Sequence, residues 1–246
     1  VENIGPYAFS GCKGLTEITL PSSVTGIQAE AFGGCLGLTK IAIPTGVTMI
    51  GSDAFKECTN LLNIVIPSTV TIIGDGAFRN CKGLTGAAIP FGVTRIGQDV
   101  FYGCQRLKEI SIPSSVTELG KGSFYGCADM ESVTLASSVV RIGENAFGKC
   151  DRLKDVYYAG SEEQWNQIDI YFADNSNEPL RTATIHLKNG TTINGPEKDA
   201  DYKIGKISAY DQAAKTVKIS GQIYAASDEL SFSGLAQMAA SKEQVI

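Results

Sequence analysis

The chain has 246 residues and a formal net charge of −5, and 43% of its residues are hydrophobic while 19% are charged. This composition excludes an intrinsically disordered chain, and the lack of a basic stripe excludes a typical nucleic-acid-binding surface. No apolar run approaches the roughly 18 residues that a membrane-spanning helix needs, so we expect no membrane insertion.

Cysteine and phenylalanine recur together at a fixed interval of 23 residues, each phenylalanine three residues before a cysteine. The cysteines are Cys12, Cys35, Cys58, Cys81, Cys104, Cys127 and Cys150. Seven units follow the pattern P-x-x-V-T-x-I-G-x-x-A-F-x-G-C-x-x-L-x-x-I-x-I. Val1, Ile4 and Gly5 match its V, I and G, so we expect the first unit to lack its opening three residues. Such a period predicts a solenoid of stacked coils.

The order of apolar and polar residues predicts the course of one coil. The alternating segment L-x-x-I-x-I predicts a half-buried strand, which a following proline ends in five units. The V-T-x-I segment predicts a second short strand, with Val24 and Ile27 both facing inward. Glycines such as Gly51 predict a corner with positive φ, although Gln28 takes that place in one unit. The A-F-x-G-C segment predicts a single helical or 3₁₀ turn.

The seven cysteines favour packing over chemistry. Their number is odd and each occupies the same point of its unit, so neighbouring side chains run parallel. Parallel side chains give the wrong dihedral angle for a disulfide, even at a Cα separation of about 4.8 Å. Neither a C-x-x-C pair nor a histidine partner for zinc accompanies them. We therefore predict a buried ladder of free thiols.

The 23-residue period ends after Tyr158, where a different local pattern begins. Ser161-Glu162-Glu163-Gln164 matches a capping box and predicts a short helix that carries Trp165 and Ile168. We expect Trp165 to plug the core rather than to bind a ligand. A closing strand is predicted over Thr184-Ile185-His186-Leu187.

The dipeptide Asn189-Gly190 follows this strand and predicts a type I′ hairpin turn into Thr191-Thr192-Ile193. Asn189-Gly190-Thr191 also matches a glycosylation sequon, but the turn is the favoured interpretation.

We predict three segments along the chain: a solenoid over 1–158, a C-terminal cap over 159–194, and a linker with a small β appendage over 195–246. In the last segment, strands are expected over 202–210 and 216–224, and a short helix over 233–245. Two interpretations of this segment stay open, the start of a further domain or a hairpin docked on the cap.

Two repeat segments, IGSDAFKECTNLLNIVIPSTVTIIG and IGENAFGKCDRLKDVYYAGSEEQW, resemble the BspA-type leucine-rich repeats, a class of bacterial surface proteins. The resemblance covers roughly residues 1–187. It implies a right-handed leucine-rich-repeat-type solenoid with a terminal cap, in a protein that is extracellular, at the cell surface or secreted. In the commoner leucine-rich repeat an Asn or Cys follows the strand, whereas here the Cys precedes it. The free thiols alone would suit a cytosolic protein equally well.

The sequence contains no recognisable catalytic pattern. The single histidine, His186, has no nucleophile linked to it by any motif. Phosphate-binding glycine motifs are missing from strand-to-helix positions, and the carboxylates are scattered rather than paired. We therefore predict a protein without enzymatic activity, cofactor or metal.

The outward positions of the L-x-x-I-x-I strands should align across coils and form a binding surface. Leu62, Val65, Ala88 and Phe91 predict an apolar patch near the middle of this ladder. The candidate ligand-contact residues are these four together with Lys40, Asn63, Glu109 and Tyr157. Scattered exposed apolar residues without a role are the alternative interpretation.

Two functions are compatible with this architecture. The first, to which the family resemblance points, is a binding or adhesion module that engages a protein or glycan on a host or neighbouring cell. The second is a structural spacer that presents another domain of a larger surface protein.

Overall fold

A computed structural model describes residues 1–173 and 176–196, together with the backbones of three strands within residues 207–225. The chain divides into two compact units, Val1–Gly195 and Pro196–Ile246. The first unit is a β-solenoid of about seven coils, as the period predicts.

Each coil contributes one strand to each of two parallel ladders. Ladder 1 is formed by the V-T-x-I strands β1 (Asn3–Ile4), β3 (Gly26–Ile27), β5 (Met49–Ile50), β7 (Ile72–Ile73), β9 (Arg95–Ile96), β11 (Glu118–Leu119), β13 (Arg141–Ile142) and β15 (Asp169–Ile170). Ladder 2 is formed by the L-x-x-I-x-I strands β2 (Glu17–Thr19), β4 (Lys40–Ala42), β6 (Asn63–Ile64), β8 (Gly86–Ala87), β10 (Glu109–Ile112), β12 (Ser132–Leu135), β14 (Asp155–Tyr158) and β16 (Thr184–Leu187). Both predicted strands of the unit are confirmed. Strand pairing is interrupted between β7 and β9 in ladder 1, and between β4 and β6 and between β8 and β10 in ladder 2.

The core consists of columns in which each residue type stacks on its counterpart in the next coil. The seven repeat phenylalanines form one such column, with ring centroids 5.1 to 5.6 Å apart and nearly parallel planes. Val24 and Ile27 are fully buried, as predicted. Because one coil is too thin to bury its own side chains, stacking is what removes these residues from water.

The A-F-x-G-C segment is not a helix, and that prediction is wrong. Its amide groups alternate between two kinds of acceptor: the Cys35 N–H donates to Phe32 C=O within the coil (3.2 Å), whereas the Phe32 N–H donates to Ala54 C=O in the next coil (2.8 Å). Two residues per coil have left-handed backbone, which interrupts any helix. One of them precedes the cysteine: Gly11, Gly34, Glu57, Asn80, Gly103, Gly126 and Lys149.

The corner glycines serve a purpose different from the predicted one. Gly51 and its equivalents do not have positive φ. Instead, they let consecutive coils approach closely, since a Cβ on Gly51 would lie only 2.6 Å from Ala29 N. A Cβ on Gly5, in the first described coil, would meet nothing within 4 Å.

The cap extends both ladders by one further strand and adds two short helices, α1 (Glu162–Asn166) and α2 (Glu178–Thr182). The predicted capping box is present, with both reciprocal bonds between Ser161 and Gln164. Trp165 is only 2% exposed and packs edge-on against Tyr158 with ring centroids 5.3 Å apart, in agreement with its expected core position.

A hairpin follows the closing strand, but its turn differs from the predicted type I′. Strand β17 (Thr192–Asn194) pairs antiparallel with β16. Only Gly190 of the dipeptide has positive φ, and its N–H donates to Leu187 C=O at 3.0 Å. This pattern belongs to a three-residue loop with a bulge, because type I′ needs positive φ at two residues. The Asn189 carboxamide oxygen, which accepts from Thr191 N–H, stabilises this loop.

The second unit contains an antiparallel sheet of three strands, β18 (Ile207–Asp211), β19 (Thr216–Ile219) and β20 (Gln222–Ala225). The single strand predicted over 216–224 is therefore wrong. The chain reverses between β19 and β20, since the two strands pair antiparallel. The helix predicted over 233–245 lies outside the described residues.

Candidate ligand-binding surface

Ladder 2 presents two aligned columns of outward side chains. Along Glu109–Ile112, side chains are alternately exposed and buried. This alternation places the two outward columns on the solvent side of the strands and the residues between them in the core. The first column contains Glu17, Lys40, Asn63, Gly86, Glu109, Ser132 and Asp155. The second column contains Thr19, Ala42, Val65, Ala88, Ser111, Thr134, Tyr157 and, from the cap, His186.

Leu62, Val65, Ala88 and Phe91 are all exposed, and we call them the mid-ladder patch. Val65 is 78% exposed, Phe91 70% and Leu62 46%. The pairing of Asn63 with Gly86 places Val65 next to Ala88, one strand spacing apart. Val65 and Ala88 are thus neighbours on adjacent coils, whereas Leu62 precedes β6 and Phe91 follows β8, at opposite ends of the same two strand segments.

The mid-ladder patch lies between charged coils. In its own two coils the ladder positions carry no charged residue, and Asn63 Oδ1 accepts from Thr85 Oγ1 at 3.0 Å. On the N-terminal side, Lys40 Nζ lies 2.8 Å from Glu17 Oε2. The Lys40 ammonium lowers the pKa of the Glu17 carboxyl, and the carboxylate in turn raises the pKa of Lys40. Glu109 is exposed on the C-terminal side.

Tyr157 lies apart from the mid-ladder patch, three coils further along ladder 2. Its ring stacks on His186 with centroids 4.6 Å apart and planes inclined by 18°. The His186 Nε2 atom lies 2.6 Å from Asp155 Oδ1. The predicted contact residues therefore divide into a central group and a C-terminal group, and the sequence did not indicate that His186 belongs to the second.

Ladder 1 has a different surface. Ile72 is exposed beside Met49, but the column then continues as alternating charges. Arg95 and Glu118 form an ion pair at 3.5 Å, and Arg141 and Asp169 form another at 3.7 Å. The large apolar side chains exposed along ladder 1, Ile72 and Val140, lie three coils apart and do not adjoin each other.

All seven cysteines are free thiols; six are buried and Cys12 is exposed. In each buried case the Sγ donates to the phenylalanine carbonyl of the preceding coil, as from Cys81 to Phe55 O at 3.1 Å. Burial raises the pKa of Cys58 to about 12 and that of Cys81 well above 9.0, which keeps these donors protonated. Six thiols thus belong to the core, as predicted, with a hydrogen bond that the sequence did not reveal, whereas the predicted burial of Cys12 is wrong.

The described residues form neither a metal site nor a membrane-spanning helix. They include no group of three histidine, cysteine or acidic side chains arranged to hold a metal ion. Within the same residues, no helix combines the length and apolar character needed to cross a membrane.

The family model described as "BspA type Leucine rich repeat region (6 copies)" matches residues 1–102 and 71–195. Since these matches cover most of the chain, the protein belongs to the BspA-type leucine-rich-repeat family. No match was found among curated proteins.

Several solved bacterial leucine-rich repeat structures are similar. The T. pallidum protein TpLRR is 33% identical with a TM-score of 0.58, over 62% of this chain and 72% of that one. A leucine rich cell surface protein from Faecalibacterium prausnitzii A2-165 is 29% identical with a TM-score of 0.52, over 69% and 60%. A protein from Eubacterium ventriosum ATCC 27560 is 32% identical with a TM-score of 0.52, over 56% and 38%. The chain thus spans less than two thirds of the last two.

Proposed function

We propose that this protein is a non-enzymatic binding module of a bacterial surface or secreted protein, and that it binds a protein ligand through the mid-ladder patch. One observation carries the proposal: two adjacent coils of ladder 2 expose Val65 and Phe91 in a neighbourhood without charge. Protein interfaces typically combine an apolar centre with a polar rim.

Val65 and Phe91 are the expected anchors. Burying a side chain of this size contributes about 1.5–3 kcal/mol of transfer free energy, which makes each a strong contributor to affinity. Lys40 and Glu109, at the two ends of the central group, are rim residues that orient the ligand more than they add affinity. The four patch residues are fewer than a stable interface contains, so the ligand must extend over neighbouring coils.

The proposed extracellular location is based on similarity to bacterial proteins of the same repeat family. The F. prausnitzii relative is described as a cell surface protein, and the repeat family is shared. Free thiols are compatible with this location, since burial and protonation protect six of the seven from oxidation.

The test is a binding screen of the intact chain against purified host and bacterial surface proteins, followed by affinity measurement. Val65→Asp should weaken binding at least about tenfold, because it places a charge in a desolvated contact. Ile72→Asp, an exposed apolar strand position on ladder 1, is the matched control and should retain affinity. A ligand that responds equally to both changes, or to neither, would contradict the patch. If no surface protein binds, the spacer function is favoured.

A further inference from the structure

We infer that the C-terminal end of ladder 2 holds a second binding site, which takes a pyranose ring of an uncharged glycan. The site, called here the aromatic shelf, consists of Glu109, Ser132, Thr134, Asp155, Tyr157 and His186. Its aromatic residue, Tyr157, lies three coils from the mid-ladder patch, while Glu109 is also the C-terminal rim residue proposed above. The glycan site does not depend on the protein-binding function.

One face of the Tyr157 ring is available to a ligand. In ladder 2, Tyr157 pairs with His186 on one side and with Thr134 on the other. Stacking at 4.6 Å covers the face towards His186. Thr134 is much shorter than a tyrosine, so the opposite face rises above it, and Tyr157 remains 46% exposed. The open face of the Tyr157 ring therefore adjoins a surface of shorter side chains.

Polar side chains form the surface next to the open face of the Tyr157 ring. Glu109, Ser132 and Asp155 align on consecutive strands, which places the Cα atoms of Glu109 and Asp155 about 10 Å apart with Ser132 between them. The imidazole of His186 holds the carboxylate of Asp155 through a 2.6 Å contact. Ser132 and Thr134, on the strand next to the open face of Tyr157, therefore border the space in front of the ring, and Glu109 and Asp155 lie at the two ends of the adjoining row.

This combination fits a sugar ring better than a peptide. A pyranose presents an apolar C–H face, which packs on an aromatic ring, and hydroxyl groups around its edge. Carboxylates accept strong hydrogen bonds from hydroxyls, and serine and threonine both donate and accept. Among the described residues of β10, β12, β14 and β16, Tyr157 is the only large apolar side chain that is exposed. A hydrophobic protein segment would find no further anchor here, and an anionic sugar would face Glu109 and Asp155.

The experiment is a titration of the intact chain with uncharged disaccharides of glucose, galactose, mannose and N-acetylglucosamine, followed by saturation-transfer NMR and calorimetry. At least one should bind. Tyr157→Ala should weaken it about tenfold or more, whereas Tyr157→Phe should keep it, because the ring face and not the hydroxyl makes the contact. Ser132→Arg, which fills the shelf without touching the stack, should also abolish binding.

The control is Tyr102→Ala, which removes a tyrosine stacked on Tyr125 at 4.9 Å in the turn segment and should leave glycan binding unchanged. Thermal denaturation of each variant separates lost binding from lost folding. The inference is overturned if no uncharged disaccharide binds at millimolar concentration, or if Tyr157→Ala and Ser132→Arg both retain affinity. Val65→Asp should not affect the glycan, so the failure of one site is distinguishable from the failure of the other.

Discussion

Asn177 Oδ1 accepts a hydrogen bond of 2.8 Å from the backbone N–H of Phe147. In every earlier coil the equivalent phenylalanine N–H donates to a carbonyl of the next coil, as Phe124 does to Ala146. The Asn177 amide also donates to Gly143 C=O at 2.9 Å and to Tyr171 C=O at 2.7 Å. A side chain in the cap thus replaces the backbone of an absent coil.

Asn177→Ala should therefore loosen the last coil. Asn177 is fully buried, so its removal leaves backbone groups of Phe147 and Gly143 without partners, which we expect to cost about 2–4 kcal/mol of unfolding free energy. Urea denaturation measures the change. Asn194→Ala, at an exposed position of β17, is the control and should shift stability by less than about 0.5 kcal/mol. Equal stability of the two variants would contradict the capping role.

Replacement of corner glycines should have different effects in the third coil and in the first. Gly51→Ala forces a Cβ against the backbone of the preceding coil and should destabilise the fold by about 1–3 kcal/mol. Gly5→Ala adds a Cβ in open space and should be neutral or slightly stabilising. Thermal melting of both variants tests this. A destabilisation of similar size at both positions would indicate that the backbone angle, and not the close approach, requires glycine.

Thiol labelling should distinguish one cysteine from the other six. In the native protein a maleimide reagent should modify Cys12 alone, because the remaining thiols are buried in the core. Mass spectrometry after brief labelling at neutral pH counts the adducts, and labelling in guanidinium chloride should give seven. A Cys12→Ser variant should show none under native conditions. Several native adducts would mean that the coils open far more readily than the packing indicates.

Stability should fall at alkaline pH. Burial raises the pKa of Cys58 from its ordinary value of 9.0 to about 12, so the fold favours the protonated thiol. This contribution is complete below about pH 9 and is lost as the pH rises towards 12, at about 1.4 kcal/mol per pH unit. Chemical denaturation at pH 8, 10 and 11 measures the slope.

A Cys58→Ala/Cys81→Ala variant supplies the comparison for this pH dependence. It should be less stable than the parent at pH 8, because it loses two thiol contacts, but its stability should fall less steeply with pH. Identical slopes for the two proteins would assign the alkaline loss to groups other than these thiols.

The 23-residue period allowed the coil, its two strands and its buried columns to be predicted, because stacking converts a position in the unit directly into a column. The period also located the mid-ladder patch, since Val65 and Ala88 occupy the same position of successive units. Contacts between coils were harder to foresee. The thiol of Cys81 bonds to Phe55 and not to the nearby Phe78 of its own coil.

Other features escaped prediction for local reasons. Glu57 and Lys149 adopt left-handed backbone that their residue types do not favour, because hydrogen bonds to adjacent coils fix the turn. Asn177 and His186 lie in a cap whose coil is longer than 23 residues, so their counterparts in the repeat could not be found by counting.

Site-specific photo-cross-linking to an identified protein ligand tests the proposed binding surface most directly. A benzoylphenylalanine at Phe91, in the mid-ladder patch, should give a covalent adduct with the ligand. The same group at Tyr7, which is similarly exposed but lies outside the ladders, should not. An adduct from position 91 alone is the predicted result, whereas an adduct from position 7 and none from position 91 would place the ligand elsewhere and contradict the proposal.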